Sequence, residues 1–276
     1  MNSKLKSAVL MFLILLCSSL LLTHLLVKEY DAVAKAENTR TGNLKRVAVS
    51  SERPKQKQKQ QIPRKKPLVK KQAKSLPDEA HLSEPFVSQE PELPNGCEIA
   101  SLTMLLRSAG IPANKMILAN QIPKVPFSSG GYMGNPNDGF VGNMYHGPSD
   151  DPGLAVYHGP VAGLASKYLG NRVEDLTGCP WSKVEEQIAQ GRPVWVITSI
   201  NFMPVPASQW VNWHTREGNI RISYMEHSVL VTGYGEKFVT INNPLSSEGG
   251  SQVDKSDFIA AWEQFGSQAI TYGPAK

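Results

Sequence analysis

Cys97 lies where a turn at residues 93–96 passes into a helical apolar pattern. The positive end of a helix dipole favours the thiolate, which is the nucleophilic form of cysteine. Far downstream, His227 opens an apolar strand pattern and Asn243 follows the next strand. Cys, His and Asn in this order suit a nucleophile, a base and a residue that orients the base. These residues predict a thiol hydrolase.

A thiol hydrolase also needs hydrogen-bond donors for the oxyanion. Gln89 lies eight residues before Cys97, and its side-chain amide is the candidate donor beside the Cys97 backbone N–H. Asn242 is a rival to Asn243 as the orienting residue. Neighbouring residues of a strand point to opposite faces, so only one of the two can serve.

The cysteines allow two other interpretations. Cys97 and Cys179 would pair as a disulfide if the domain used them structurally, and a reactive free thiol would argue against that pairing. A zinc site is not expected, because the cysteines and histidines lack the CxxC or HExxH spacing. No glycine-rich phosphate loop follows a strand either, so the sequence predicts no cofactor.

The N-terminal segment, residues 1–36, predicts the compartment. Lys4 and Lys6 precede an apolar run over residues 8–27, and about 20 helical residues cross the roughly 30 Å of a bilayer. The leading lysines predict that the C-terminal part lies outside the cytoplasm. We therefore expect a membrane anchor, or a signal segment that leaves a secreted protein if it is cleaved.

Residues 37–78 read as a basic linker, with 13 Lys and Arg against 3 Asp and Glu. High charge with few apolar residues predicts disorder. Residues 79–276 carry 12 basic and 19 acidic side chains, so the folded part is acidic. Outside the cytoplasm the linker suits the membrane surface or an anionic envelope polymer, and nucleic acid is not an expected partner.

The folded part reads as one α+β domain of residues 79–276. Helical patterns are predicted at 98–109, 161–169 and 258–262, with another opened by a capping box at Ser182. Strands are predicted at 193–200, 227–234, 237–242 and 268–272. Residues 120–160 are rich in Gly, Pro, Asn and Asp, which predicts a long loop of the kind that forms cleft walls. The helix that carries Cys97 should pack against an antiparallel sheet that carries His227.

Several ordered motifs resemble the C39-like peptidases of bacterial envelope proteins. The similarity lies in residues 87–105 around Cys97, in Gly139-Phe140-Val141-Gly142, in Val156-Tyr157-His158, in His227-Ser228-Val229, in Asn243-Pro244-Leu245 and in residues 258–262. The resemblance covers roughly residues 83–272. It implies a papain-like cysteine peptidase fold, with Cys97, His227 and Asn243 as the triad and Gln89 at the oxyanion hole.

Two departures from the family pattern concern the site. Relatives often carry Asp-Pro where this chain has Asn243-Pro244, and an amide lacks the charge that would stabilise an imidazolium. Glu98 follows Cys97 where bacteriocin-processing relatives have Gly, so leader cleavage at a double-glycine site is not carried over.

The sequence therefore predicts an extracytoplasmic, membrane-anchored cysteine peptidase that acts on a peptide or protein substrate at a peptide or isopeptide bond. Two alternatives stay open. One is a catalytically weak or inactive module of the same fold that binds peptide or cell-wall polymer. The other is a cysteine amidase that hydrolyses peptidoglycan. Trp210 and Trp213 are candidates for cleft walls.

Overall fold

The computed structural model describes residues 76–146 and 151–275. The predicted anchor, residues 1–36, and nearly all of the predicted linker, residues 37–78, lie outside the described residues. Within the described residues, no helix is long and apolar enough to span a bilayer.

Five α-helices and thirteen strands make up the described part of the chain. The helices are α1 (Cys97–Ser108), α2 (Lys115–Gln121), α3 (His158–Leu169), α4 (Trp181–Ala189) and α5 (Lys255–Gln264). The strands are β1 (Ala80–His81), β2 (Lys124–Val125), β3 (Ser128–Ser129), β4 (Tyr132–Met133), β5 (Phe140–Val141), β6 (Val173–Asp175), β7 (Val194–Ser199), β8 (Val211–Thr215), β9 (Gly218–Ile222), β10 (Glu226–Tyr234), β11 (Phe238–Asn242), β12 (Ser251–Asp254) and β13 (Ala269–Tyr272).

The main sheet is antiparallel, in the strand order β12-β11-β10-β7-β13-β6. The long strand β10 lies at its centre, and the short β1 pairs with the C-terminal end of β10. A bulge between Val231 and Gly233 shifts the register against β11. These pairings bring the start of β10, with His227, beside the end of β7.

The central strands are buried on both faces, so the sheet separates two apolar cores. Trp195 and Ile197 of β7 face the core built with α1, α2 and α3. Val194 and Val196 face the core built with α4 and α5, which includes Trp181, Phe258 and Trp262. This alternation is the period-2 pattern of a strand. It holds α1, with Cys97 at its first residue, against one face of the sheet.

Most predicted elements match the structure within a few residues, but some predictions were wrong. Helices α4 and α5 pack on the second face of the sheet, opposite α1. Ser182 does not cap α4: the helix begins at Trp181, its N-cap is Pro180, and no side chain caps it. The sequence patterns did not predict α2 or the β8–β9 hairpin. In the hairpin, the alternation of apolar and polar residues is short and interrupted.

The predicted loop at 120–160 contains short pairs of strands. The β2 and β5 strands are parallel, and β3 and β4 are antiparallel. A small third core joins this region to the β8–β9 hairpin through Val141, Trp213 and Ile222. Part of the segment is therefore folded against the domain, which allows it to form a fixed wall.

Candidate active site

Cys97 is the first residue of α1 and is 8% exposed. The preceding turn is closed by the Gly96 N–H, which donates to the Leu93 carbonyl at 2.9 Å. A Cβ on Gly96 would lie 2.7 Å from Leu93 Cβ, so the turn needs glycine there. The turn and the helix together fix where the sulfur enters the site.

His227 is buried near the start of β10 and faces Asn243, which follows β11. The distance from His227 Nε2 to Asn243 Oδ1 is 2.8 Å. The backbone N–H of Leu245 donates to the same Oδ1 at 3.1 Å, which identifies that atom as the oxygen. An oxygen only accepts here, so Nε2 carries the imidazole proton and Nδ1 is the basic nitrogen.

The structure separates the two neighbouring asparagines. Asn242 Oδ1 accepts from the Gly250 N–H at 2.9 Å, and its amide nitrogen lies 3.4 Å from the Glu84 carbonyl. Asn242 therefore holds backbone segments together, while Asn243 contacts the imidazole.

Gln89 is 2% exposed and lies beside the turn that leads to Cys97. Its Nε2 donates to the Pro94 carbonyl at 2.7 Å, which leaves the second amide hydrogen for another acceptor. Among the described residues, no group donates to the buried Gln89 Oε1. The Gln89 N–H donates to the Pro244 carbonyl at 2.9 Å, so Gln89 is tied to the loop of Asn243.

The segment that carries Gln89 is held by one lysine of α2. Lys115 Nζ donates to the carbonyls of Ser88 at 2.7 Å, Gln89 at 2.9 Å and Glu90 at 3.2 Å. It also pairs with Glu92 at 2.6 Å. A single cation thus fixes the backbone that aims the Gln89 amide.

A cavity of about 270 Å³ brings Cys97, His227 and Gln89 to one surface. Part of the predicted 120–160 loop forms one wall, through Gly153 and Leu154. Three apolar side chains on its rim are unusually exposed: Ile200 at 47%, Tyr224 at 61% and Leu245 at 41%. The rim therefore offers apolar surface next to the sulfur.

The tryptophans predicted as walls do not line this cavity. Trp213 is buried in the small third core, and Trp210 packs on Phe265 with Arg221 over its ring. That prediction was wrong, because both indoles find apolar partners within the domain.

The structure does not join Cys97 to His227. Cys97 Sγ donates to Glu98 Oε2 at 3.4 Å, and no hydrogen bond between the thiol and the imidazole occurs among the described residues. The expectation of a thiolate at the helix start also fails. Burial, together with the charges of Glu98 and Glu226, raises the pKa of the Cys97 thiol well above its ordinary value.

His227 is a neutral base in this arrangement. Burial lowers the pKa of the imidazole to about 4, against the hydrogen bond to Asn243, which acts to raise the pKa. At neutral pH the ring therefore has a free lone pair on Nδ1.

Two acidic neighbours of the site, Glu98 and Glu226, were not among the site residues predicted from the sequence. Glu98 is fully buried, and its Oε1 accepts from the Val156 N–H at 2.7 Å. The pattern contained a signal, because Glu98, Leu102 and Leu105 share one helix face and all three are buried. A carboxyl on an apolar helix face next to a nucleophile indicates a functional role.

Cys97, Glu98 and Glu226 each place one ligand-type atom within 4.8 Å of the others. Both Glu98 oxygens already accept hydrogen bonds, from the Cys97 thiol and from the Val156 N–H. Together the three side chains form an acidic cluster. Cys97 and Cys179 are both free thiols, so the disulfide alternative is not realised in this structure.

Comparisons with known proteins agree with this architecture. Residues 81–270 match the model of the Peptidase C39 like family. The uncharacterized protein YvpB of Bacillus subtilis strain 168 is 49% identical over 181 residues, which are 65% of this chain and 70% of that protein. A crystal structure of a candidate C39-like peptidase from Bacillus anthracis has a TM-score of 0.70 and 42% identity, and the match covers 72% of this chain and 100% of that chain.

These similarities confirm the predicted α+β, papain-like fold. They also bear on function at the level of the family, since they associate the chain with a hydrolase fold. With the family model matched over residues 81–270, the chain belongs to the Peptidase C39 like family.

Proposed function

We propose that this chain is a cysteine peptidase that hydrolyses a peptide or isopeptide bond, with Cys97, His227 and Asn243 as its triad and Gln89 at the oxyanion hole. The observation that carries the proposal is the 2.8 Å contact from His227 Nε2 to Asn243 Oδ1 beside the cavity that Cys97 lines. This contact occupies Nε2 and leaves the basic Nδ1 for the thiol, which is the arrangement that a nucleophile and its base require.

The first half of the reaction forms a thioester. His227 Nδ1 takes the Cys97 proton as the sulfur attacks the substrate carbonyl carbon, and the carbonyl π electrons move onto the oxygen. The free amide hydrogen of Gln89 and the Cys97 N–H donate to that oxyanion, since a first-turn helix N–H has no intrahelical acceptor. The C–N bond then breaks, and Nδ1 returns its proton to the leaving amine.

The second half regenerates the enzyme. Neutral Nδ1 removes a proton from water as the water oxygen attacks the thioester carbon. The oxyanion collapses, the C–S bond breaks, and the sulfur recovers its proton from the imidazolium. Asn243 Oδ1 accepts from Nε2 throughout and keeps the ring in the same tautomer.

The cavity rim indicates the kind of substrate. Ile200, Tyr224 and Leu245 are exposed around the opening and suit an apolar side chain near the scissile bond. We propose a peptide or protein substrate outside the cytoplasm, with residues 1–36 as the membrane anchor. The basic segment at 37–78 would then attract anionic envelope polymers or lipid headgroups.

A second candidate is a binding module of the same fold with little activity. One observation favours it: the Cys97 thiol donates to Glu98 and makes no hydrogen bond to His227 within the described part of the chain. Such a module would use the same cavity to bind peptide or wall polymer without turning it over.

Hydrolysis by the full-length chain separates these candidates. Peptide mixtures, isopeptide-linked peptides and purified wall material would be incubated with wild type and Cys97→Ala, and new amino termini would be counted. We expect termini with wild type and none with Cys97→Ala, while the matched Cys179→Ala variant keeps activity. Binding without new termini in all three variants would favour the binding module, and termini only from wall material would identify the amidase.

A further inference from the structure

Glu98 joins the nucleophile to the cavity wall. Its Oε2 accepts from the Cys97 thiol at 3.4 Å, and its Oε1 accepts from the Val156 N–H at 2.7 Å. Its backbone carbonyl accepts from the Trp195 indole N–H at 3.0 Å, which fixes the first turn of α1 to the sheet. A fully buried carboxyl that holds two donors is an unusual neighbour for a sulfur that must become a thiolate.

A second carboxyl makes the surroundings of the Cys97 thiol more acidic. Glu226 of β10 lines the same cavity, and its Oε1 is enclosed without a hydrogen-bond partner among the described residues. The other titratable groups facing the cluster are His227 on β10 and Tyr157 before α3. His227 is neutral at neutral pH, so no cation faces the two acids from these elements.

We propose that Glu98 is a positioning residue that holds the Cys97 thiol protonated and away from His227, and that it links release of the thiol to the wall segment at Val156. The inference rests on the proposed function, because it explains how a peptidase site can exist with its nucleophile and base apart.

Glu98 keeps the Cys97 thiol in place through its charge and through its position. A carboxylate that accepts the S–H stabilises the thiol and repels a thiolate at the same place. The sulfur becomes a nucleophile when it leaves Glu98 and reaches His227 Nδ1. Gly153 and Leu154 line the cavity close in sequence to Val156, so a substrate that binds against this wall is coupled to Glu98 through the Val156 N–H.

The test measures thiol reactivity, which does not require a known substrate. Full-length wild type, Glu98→Gln and the exposed control Glu263→Gln would be alkylated with iodoacetamide from pH 5 to 10. The rate at Cys97 would be read by peptide mass spectrometry. Gln keeps the size of Glu and an oxygen for the Val156 N–H, but it removes the charge beside the sulfur. We expect Glu98→Gln to react on the order of tenfold faster at pH 8, where the wild-type Glu98 carboxyl is mostly ionised, with its inflection at lower pH.

The control should match wild type across the whole range. An alkylation profile of Glu98→Gln that overlays wild type, or a slower rate, would overturn the proposal. If Glu98→Gln does not fold, the S–H stretch in the Raman difference spectrum of wild type minus Cys97→Ala decides. A band shifted by hydrogen bonding supports the contact between the Cys97 thiol and Glu98. The absence of an S–H band indicates a thiolate and overturns the proposal.

The two proposals fail separately. Faster alkylation of Glu98→Gln together with no turnover of any substrate would support the role of Glu98 and contradict the peptidase. Turnover by wild type together with an unchanged alkylation profile would support the peptidase and contradict the role of Glu98.

Discussion

His227 Nε2 lies 2.8 Å from Asn243 Oδ1, and the Leu245 N–H donates to that same oxygen at 3.1 Å. Asn243 Oδ1 and the Leu245 N–H thus fix one proton on one nitrogen of the buried ring. The tautomer of His227 is therefore set by the loop that follows β11, the strand beside β10.

Replacing Asn243 with Ala should lower kcat by about 10²-fold or more, because the ring loses the acceptor that sets its tautomer and orientation. The matched control is Asn242→Ala. Asn242 contacts Gly250 and Glu84 instead of the ring, so this variant should lose stability and keep its kcat below the unfolding temperature. Equal losses of kcat in the two variants would contradict the role assigned to Asn243.

The acidic limit of activity should lie well below the ordinary pKa of histidine. His227 has a pKa of about 4 because it is buried, and catalysis needs the neutral ring. Activity at saturating substrate should therefore persist from pH 7 to about 5. Asn243→Asp places a carboxylate beside the ring, raises the pKa of the imidazole and should move the acidic limb to higher pH. If the acidic limb of Asn243→Asp stayed in place or moved to lower pH, the contact between residue 243 and His227 would be contradicted.

Gln89→Ala should lower kcat by about 10²- to 10³-fold with little change in KM, because the amide donates to charge that develops only in the transition state. Iodoacetamide forms no oxyanion, so alkylation of Cys97 should be unaffected. Ser88→Ala serves as the control, since it removes the hydrogen bonds of Ser88 Oγ with the Pro244 carbonyl and the Glu90 N–H and leaves the Gln89 amide in place. A parallel fall in turnover and alkylation for Gln89→Ala would indicate a structural role instead.

The apolar rim should determine KM. Tyr224→Ala and Leu245→Ser should raise KM for peptides with an apolar residue at the scissile bond by roughly 10-fold, because each removes apolar surface that a ligand would cover. Both side chains are exposed, at 61% and 41%, so stability should change by less than about 0.5 kcal/mol. Ile117→Ser, 53% exposed on α2 outside the cavity, is the control. The same rise in KM for Ile117→Ser would exclude a specific rim.

Glu98 and His227 should act in opposite directions on stability. Burial raises the pKa of Glu98 to about 7, so between about pH 4.5 and 7 the folded chain binds the Glu98 proton more tightly than the unfolded chain. The Glu98 contribution to the free energy of unfolding therefore falls as pH rises through this window. His227, with a pKa of about 4, gives a contribution that is present above pH 6.5 and is lost as pH falls towards 4.

Urea unfolding from pH 4.5 to 7 tests this balance. Burial and the neighbouring Glu98 also raise the pKa of Glu226, whose slope has the same sign as that of Glu98. Glu98→Gln removes one of these two falling contributions, so its free energy of unfolding should rise more steeply, or fall less steeply, with pH than that of wild type. His227→Gln should show the reverse, a fall with rising pH. Parallel curves for all three proteins would contradict the buried titrations.

Local patterns were sufficient for much of the framework. The helix that begins at Cys97 and the strands β10 and β11 follow from apolar periodicity. Gly110 marks the end of the helix and Gly235 the end of β10. The hairpin at 211–222 and helix α2 were missed, because their stability comes from packing against distant segments. Ser182 shows the same limit, since the capping signal is local while Trp181, packed against Phe258 and Trp262, decides where α4 begins.

The sequence by itself determined the residue types at the proposed site and their order, because a cysteine at a helix start and a histidine near a strand start are local features. It also favoured Asn243 over Asn242, and the structure brings the Asn243 side chain to the His227 ring. Tertiary structure alone decided the state of Cys97. The charge on a buried thiol depends on which groups the fold places around it, and here those groups are Glu98 from its own helix and Glu226 from a strand 129 residues away.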